Sequence, residues 1–460
     1  MQIGQQHYFG AAGQTEIHPA ALVILLVAGI MLLVLPRKYV FIPLLFAAVF
    51  IPFDQQVMLG SIHLTLTRIL IFMAWIRVLT MRFMGGGPRM PRWTALDTLF
   101  ATYYAIGTVT FYFLWGDVGA IVNRVGMLYN AIGIYFFMRY VVRDSRDIDR
   151  ATKTFAWIML ILAGFTLNEQ FTGRNIFSMF GGVPEHTEVR DGRTRSQGPF
   201  AHTLTAGTMG ATAVPLLIGL WWQGKKNWKT ALMGAAAATI VAFSSMSSTP
   251  FIVVAVGIFA LCMWSLRRYL KWFRWATVAL LLSMHLVMKA PVWALIERID
   301  LTGSSSSYHR YELVDQFIHR FWEWCLLGTT HTSEWGWDMW DTINSYVAAG
   351  TDGGLIGFLL FLAILTTAFW QLGKARRRWA ASPEHARRVW VFGSLLFAHA
   401  VAFFGIGYFD QSAVVWHAQL AMIATVIALR PSTKTKTHSS SLAVEDDNIL
   451  PAFDTPVLAG

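Results

Sequence analysis

Charged residues are scarce in this chain of 460 residues: Asp, Glu, Lys and Arg make up 14% of it, whereas 55% is hydrophobic. Soluble domains carry close to a quarter charged residues, so the deficit excludes an ordinary soluble protein. Cysteine is nearly absent as well, with only Cys262 and Cys325 in unlike surroundings. Two such cysteines form neither a disulfide framework nor a metal-ligand pattern, and we expect no metal and no cofactor.

Long apolar segments, by contrast, recur throughout the chain. A membrane-spanning helix needs about 17–25 apolar residues, and the runs that approach or meet this length lie at 19–35, 39–53, 64–81, 94–115, 122–141, 152–170, 201–222, 230–246, 249–265, 273–289, 346–370, 389–408 and 412–429. The sequence therefore predicts an all-α polytopic membrane protein with about 12–13 transmembrane helices. The bundle would occupy residues 19–430, between an outward-facing N-terminal segment (1–18) and a disordered cytoplasmic tail (431–460).

The net charge of +11 could suggest a nucleic-acid partner, but the positions of the charges argue against it. Of the 37 Lys and Arg residues, 27 lie in short segments that fall on one side of the predicted bundle. This bias is the positive-inside pattern of membrane proteins. It predicts that two large polar loops, 168–200 and 290–345, face outward, away from the cytoplasm.

The second loop contains an amphipathic segment. From Tyr311 to Leu327, the apolar residues Leu313, Phe317 and Phe321 recur at a spacing of four. This period is typical of a helix with one buried face. We expect a helix lying across the top of the bundle, as a cap over its outward-facing end.

The end of the first loop brings cationic residues to the edge of a predicted span. Arg193 and Arg195 are followed by Gly198, and His202 lies where the apolar run begins. A single arginine here could simply extend to the interface. Two arginines, a glycine that permits close backbone approach and a histidine fit an anion site better, with Arg195 favoured over Arg193.

Two further segments are candidates for the same site. Ser244–Pro250 joins two spans, either as a tight helical hairpin or as a hydroxyl-lined floor. Arg310 precedes the amphipathic stripe; it could pair with Glu312 or Asp315, but arginine is also well suited to bidentate phosphate recognition.

The last candidate segment leads into an apolar helix. Asp341, Asn344 and Tyr346 could cap that helix or, with the nearby tryptophans, bind a sugar. His331 is the nearest loop histidine and is, with Asp341, a candidate for acid–base chemistry.

In this order, the segments resemble the O-antigen ligase and O-antigen polymerase superfamily of multi-pass glycosyltransferases, over about residues 150–430. The matching motifs are Arg195, Gly198 and Phe200; the Ser-rich hairpin, without the arginine often found there; Arg310; Leu326-Leu327-Gly328; Asn344 and Tyr346; and the span over Gly350–Gly357. Ile343 stands where the family often has histidine.

The resemblance implies transfer of a glycan from an undecaprenyl-pyrophosphate carrier to a saccharide or glycolipid acceptor. The reaction would take place at the periplasmic face of a bacterial inner membrane, without metal or nucleotide sugar. It assigns pyrophosphate binding to Arg195 and Arg310, assisted by Arg193, and acceptor activation to His331 or Asp341. The expected substrate-binding residues are His202, Gly198, Asn344 and Tyr346. A transporter of lipid-linked saccharides and a non-catalytic scaffold are the alternatives.

Overall fold

The computed structural model describes Thr15 and residues 17–59, 62–85, 91–298 and 306–431, and the predicted N-terminal segment and tail lie almost wholly outside these residues. The α-helices in the described part are α1 (Pro19–Val34), α2 (Phe41–Phe50), α3 (Leu66–Phe83), α4 (Ala95–Trp115), α5 (Val118–Val141), α6 (Ser145–Thr172), α7 (Thr203–Trp221), α8 (Trp228–Ser244), α9 (Ser248–Cys262), α10 (Leu270–Val287), α11 (Leu295–Arg298), α12 (Ser306–His319), α13 (Phe321–Trp324), α14 (Ser345–Arg378), α15 (Pro383–Ala402) and α16 (Asp410–Ala428). The strands are β1 (Gln56–Leu59), β2 (Ile62–Thr65), β3 (Glu188–Arg190) and β4 (Arg193–Arg195).

Each of the thirteen apolar runs in the sequence is a helix in the structure. Within the described residues, five helices are long and apolar enough to cross a membrane: α5, α6, α7, α14 and α16. The α9–α10 region is bent by 98° and would count as a sixth span if it crossed as one broken helix. The chain is therefore a helical membrane protein, and the count of 12–13 spans stays a prediction.

Two short β-hairpins are set into the otherwise helical fold, which agrees with the all-α prediction. Strands β1 and β2 pair antiparallel, as do β3 and β4, in which Glu188 lies opposite Arg195. The turn of the second hairpin is Asp191-Gly192, with φ of 53° and 73°. Asp-Gly is a strong signal for a two-residue hairpin turn, because both positions need positive φ. The first polar loop is thus a folded segment.

Helix α7 packs against α8 and α9 at the centre of the bundle. A Cβ atom on Gly210 would lie only 2.6 Å from the carbonyl oxygen of Ala238 in α8. The absence of a side chain therefore allows the two helices to approach closely, as small residues do at membrane helix interfaces. This contact holds α7 and α8 close together along their length.

The predicted helix over Tyr311–Leu327 is interrupted. α12 ends at His319, and α13 turns back so that Trp324 stacks on Phe317 with ring centroids 4.0 Å apart. The indole Nε1 of Trp324 donates to the carbonyl of Phe317 over 2.8 Å. The stacked rings and this hydrogen bond stabilise the turn between α12 and α13. The described residues of 290–345, which we name the cap segment, thus enclose a small core of their own, formed with α14: Leu313, Phe317, Trp324, Trp335, Met339 and Val347.

The cap segment is joined to α14 through main-chain atoms. Gly354 interrupts α14 with φ 63° and ψ −168°. At this break the N–H of Leu355 donates to the carbonyl of Cys325 over 2.9 Å, and the N–H of Thr329 donates to Thr351 over 2.8 Å. The backbone groups freed by the break are therefore satisfied by the cap segment, as the membrane interior requires.

A buried ion pair joins α4 to α5. The Nε of Arg139 lies 2.8 Å from Oδ1 of Asp97, and the two side chains are 2% and 1% exposed. Tyr135 also donates to Asp97 over 2.8 Å, and Arg139 reaches Thr425 of α16 over 3.1 Å. Both charges are fully partnered, which is the condition for keeping them in a low-dielectric interior.

We expect Arg139→Met to lower the free energy of unfolding by about 3–5 kcal/mol, because it leaves the Asp97 carboxylate buried without its counter-charge. The double variant Asp97→Asn/Arg139→Met should recover much of that loss. Thermal unfolding of the purified protein in detergent measures both. A single variant as stable as the wild type would contradict this account of the pair.

Candidate functional site

Arg195 is held from three directions at the end of β4. Its Nη2 donates to the Ser247 hydroxyl over 2.7 Å, and its Nε donates to the Ser245 carbonyl over 3.2 Å. On the outer side, Nη1 lies 2.7 Å from Oε1 of Glu188 across the hairpin. The α8–α9 segment is thus a tight helical turn, and it also supplies oxygen acceptors to the arginine. The guanidinium is therefore fixed in position, with 13% of the side chain exposed.

The turn that follows Arg195 is built around a buried carboxylate. Glu169, near the end of α6, accepts hydrogen bonds from the N–H groups of Gly198 over 2.8 Å and Gln197 over 3.1 Å. Gly198 has φ 60°, a conformation that favours glycine. Its carbonyl accepts from Asn175 over 2.8 Å. Gly198 therefore shapes the turn that presents Arg195, and its backbone groups are already bonded internally.

Arg195 and Arg310 line the same cavity. Arg310 belongs to α12 and is 8% exposed, so the cap segment contributes a largely buried guanidinium to a space whose other wall is the β3–β4 hairpin. We name this space the arginine cavity. Its lining residues are Arg190, Asp191, Arg193, Arg195, Leu204, Met246, Ser247, Ser248, Arg310 and Ile343. Four arginines and one aspartate line the cavity, and Glu188 pairs with Arg195 from beside it. The site therefore keeps a net positive charge, suited to an anion with several oxygens.

An acid–base group lies in the segments next to the arginine cavity. Asp341 interacts electrostatically with both His202 and His309. Asp341 is open to solvent on one side, but the surrounding atoms displace much of its hydration. This desolvation raises the pKa of its carboxyl, an effect that the two histidines partly oppose and that Asp338 reinforces.

The ring of His309 has a defined hydrogen-bond arrangement. Its Nε2 lies 3.1 Å from the carbonyl oxygen of Asp338, which can only accept, so Nε2 carries the proton in the neutral ring. The other nitrogen, Nδ1, is shielded from solvent and has no hydrogen-bond partner among the described residues. A neutral imidazole in this tautomer has a lone pair at Nδ1 that can accept a proton.

The remaining predicted residues lie away from this group or serve the fold. His331 is exposed, with Nδ1 3.2 Å from the Thr330 hydroxyl, and does not line the arginine cavity. Asn344 caps α14 by accepting from the N–H of Tyr346 over 2.9 Å. The Tyr346 hydroxyl donates to the carbonyl of Ala400 over 2.8 Å. Asn344 is thus the cap of α14, and the hydroxyl of Tyr346 is bonded within the protein. These contacts support a structural role for both residues over sugar binding.

Three residues at the site were not selected from the sequence: Arg190, Glu169 and His309. Arg190 shares the Asp-Gly hairpin with Arg193, so recognising that turn would have paired the two. His309 directly precedes Arg310 and was visible as a neighbour. Glu169 carries no motif, because it acts through backbone N–H groups that any residue possesses. Among the described residues, no group of three or more His, Cys, Asp or Glu is arranged to hold a metal ion.

A second cavity lies within the bundle, between α4, α5, α14 and α16. Its walls are largely apolar and aromatic, and include Phe100, Tyr103, Phe361, Phe403 and Trp416. Two polar pairs interrupt them: Arg124 with Asp352 at 2.5 Å, and Tyr104 with His417 at 2.6 Å. Ser345 lines this bundle cavity and Ile343 lines the arginine cavity, so the two spaces meet the same short segment at the start of α14.

The chain matches no protein-family model and no curated protein. The geometry of the site and the motifs of the sequence therefore carry the assignment of function.

We expect Glu169→Ala to destabilise the protein by about 2–3 kcal/mol, because the buried N–H groups of Gln197 and Gly198 lose their acceptor. Glu185→Ala, which removes an exposed carboxylate from the same loop, should change stability by no more than about 0.5 kcal/mol. Thermal unfolding in detergent compares the two. Equal effects would show that the Glu169 carboxylate does not hold the turn.

Proposed function

We propose that this protein is a glycosyltransferase of the O-antigen ligase or polymerase type. It would move a glycan from an undecaprenyl-pyrophosphate carrier to a hydroxyl of a saccharide or glycolipid acceptor. The reaction would need no metal and would occur at the periplasmic face of a bacterial inner membrane. In this proposal the cap segment and the β3–β4 hairpin are periplasmic, in agreement with the distribution of Lys and Arg along the chain.

The observation that carries the proposal is the convergence of Arg195 and Arg310 on one cavity. The two residues are far apart in the sequence, and each was selected independently as a phosphate-binding candidate. A diphosphate carries several oxygens and more than one negative charge, so two guanidinium groups lining one cavity are suited to hold it together.

The proposed reaction needs charge stabilisation at the leaving group. As the acceptor oxygen forms its bond to the anomeric carbon, the bond from that carbon to the pyrophosphate oxygen breaks, and negative charge develops on the departing diphosphate. Fixed guanidinium groups aimed at that charge stabilise the transition state without reorganising. Arg195 is suited to this role because Ser245, Ser247 and Glu188 already hold its orientation.

The acceptor hydroxyl must lose its proton as it attacks. Asp341 and His309 interact with each other and lie in segments that contribute to the arginine cavity, so we propose this pair as the base. His331, the other candidate from the sequence, is exposed and outside that group. The family often has a histidine at the position of Ile343. In this chain the pair of Asp341 and His309 would supply the base instead.

The bundle cavity would receive only the first isoprene units next to the diphosphate, and the rest of the carrier would lie in a groove between helices. The cavity is walled by apolar and aromatic side chains and approaches the arginine cavity at the start of α14. An isoprenoid chain gains free energy in proportion to the apolar surface that it buries.

Transfer should be measured with a purified lipid-pyrophosphate glycan donor and a saccharide acceptor. We expect Arg195→Ala and Arg310→Ala each to reduce turnover by roughly 100-fold or more, because each removes a donor aimed at the developing charge. Arg320→Ala is the matched control. Arg320 lies in the cap segment but does not line the arginine cavity, and its Nη1 is 3.1 Å from Oε1 of Glu323. EDTA should leave wild-type turnover unchanged.

Unchanged turnover in both cavity variants would remove the catalytic assignment and favour transport or a scaffold role. An equal loss in Arg320→Ala would indicate damage to the cap segment rather than to a binding site. Arg195 also donates to Ser245 and Ser247 and is only 13% exposed, so its replacement removes more than the pair with Glu188. Thermal unfolding of Arg195→Ala therefore accompanies the assay, and a variant that melts as the wild type does but loses turnover supports the catalytic assignment.

The pH dependence of transfer tests the base. A carboxylate base is active when deprotonated, so kcat/KM should rise as pH rises through the pKa of Asp341. Because that pKa is raised, the rise should lie above the usual range of aspartate, which is near 4. Asp341→Asn should lower kcat/KM and remove this limb of the profile. A profile with the same limb in Asp341→Asn would assign it to another group.

A further inference from the structure

A third pocket lies at one end of the bundle, where the start of α6 meets the turn between α7 and α8. It is separate from the arginine cavity and from the bundle cavity. Its lining includes four cationic residues, Arg146, Arg150, Lys153 and Lys226, and one acidic residue, Asp149. We name it the basic pocket.

The single carboxylate of the basic pocket is already engaged. Both oxygens of Asp149 lie 3.1 Å from Nη2 of Arg388, so the acid is paired with a cation outside the pocket. Arg150 is bonded to Asp147. For Arg146, Lys153 and Lys226, the described residues contain no ion pair with a carboxylate. The pocket therefore keeps a net positive charge available to a ligand.

An amide inside the pocket points to a missing partner. Both polar atoms of the Gln223 side chain are shielded from solvent and have no hydrogen-bond partner among the described residues. Buried polar groups are almost always paired, so such an amide usually marks the place of a ligand or a bound water. Cations together with an amide donor are complementary to a phosphate group.

The surface next to the pocket changes from basic to apolar along one face of α6. Arg146, Arg150 and Lys153 are followed at the same helical spacing by Trp157 and Ile161, which are 51% and 41% exposed. Residues three and four apart share a helix face. This face of α6 is therefore basic near the start of the helix and apolar further along it. The neighbouring Trp221 and Trp228, 60% and 48% exposed, are placed as aromatic residues are at a membrane interface.

A positive-inside bias alone explains cations at this end of the bundle, but it requires neither a recess nor an unpartnered amide. An anionic phospholipid supplies both a phosphate for the recess and acyl chains for the apolar face of α6. Basic pockets between transmembrane helices bind such headgroups. We propose that the basic pocket binds the phosphate of an anionic phospholipid, with its acyl chains along Trp157 and Ile161. The proposal does not depend on the glycosyltransferase assignment.

The test uses the purified full-length chain in detergent, with dioleoyl phosphatidylglycerol, dioleoyl phosphatidylcholine and inorganic phosphate as separate probes. Binding is read by native mass spectrometry and by the shift in melting temperature. We expect phosphatidylglycerol to bind and stabilise the wild type more than phosphatidylcholine does. Lys153→Gln/Lys226→Gln should weaken this binding roughly tenfold or more, because each lysine contributes to attraction of an anionic lipid.

Lys271→Gln/Arg274→Gln is the matched control, because it removes the same charge from exposed positions of α10 outside the pocket. It should bind phosphatidylglycerol as the wild type does. If the pocket variant fails to fold, Lys226→Glu on the exposed α7–α8 turn tests the same contact and should also weaken binding. Equal losses in pocket and control variants would overturn the proposal, as would equal binding of the two lipids. Stabilisation by inorganic phosphate alone, lost in the pocket variant, would overturn the lipid assignment in favour of a free anion.

Discussion

The fixation of Arg195 is the interaction on which the arrangement of the site depends. A guanidinium in a poorly hydrated position must have acceptors, and two segments provide them: the α8–α9 turn and the opposite strand of the hairpin. The Glu169 carboxylate holds the turn that follows Arg195. Because these contacts tie the hairpin to the ends of α6, α8 and α9, the bundle determines where the charge stands. Arg310 then comes from the cap segment to complete a cationic wall.

The helices could be predicted from the sequence because membrane helices are specified by composition over many residues. Every apolar run became a helix, including α1, α2 and α8, which are too short to be secure spans by length alone. The interruptions were harder to predict, because they are decided by a few atoms. The break of the cap helix after His319 depends on Trp324 stacking on Phe317, a contact that no periodicity encodes.

Within the site, too, some residues could be predicted from the sequence and others could not. Arg195, Arg310 and Arg193 could be selected because arginine in a loop of a charge-poor protein is conspicuous, and the structure brings all three to one cavity. Asn344 was ambiguous from the start between a cap and a ligand, and its bond to the N–H of Tyr346 favours the cap. Glu169 was invisible because its partners are main-chain groups. His309, rather than His331, lies with Asp341, since distance in the fold differs from distance along the chain.

The backbone hydrogen bonds between the cap segment and α14 determine which sequence changes this region tolerates. The carbonyl of Cys325 and the N–H of Thr329 meet α14 through the backbone, so most replacements at these two positions preserve the register. The constraint falls on the glycines: a Cβ on Gly354 would lie 2.4 Å from the carbonyl oxygen of Leu326. Side chains in the segment from Cys325 to Thr329 should therefore tolerate substitution, whereas the number of residues in it should not change. An insertion or deletion here would be far more disruptive than a substitution at any position other than glycine.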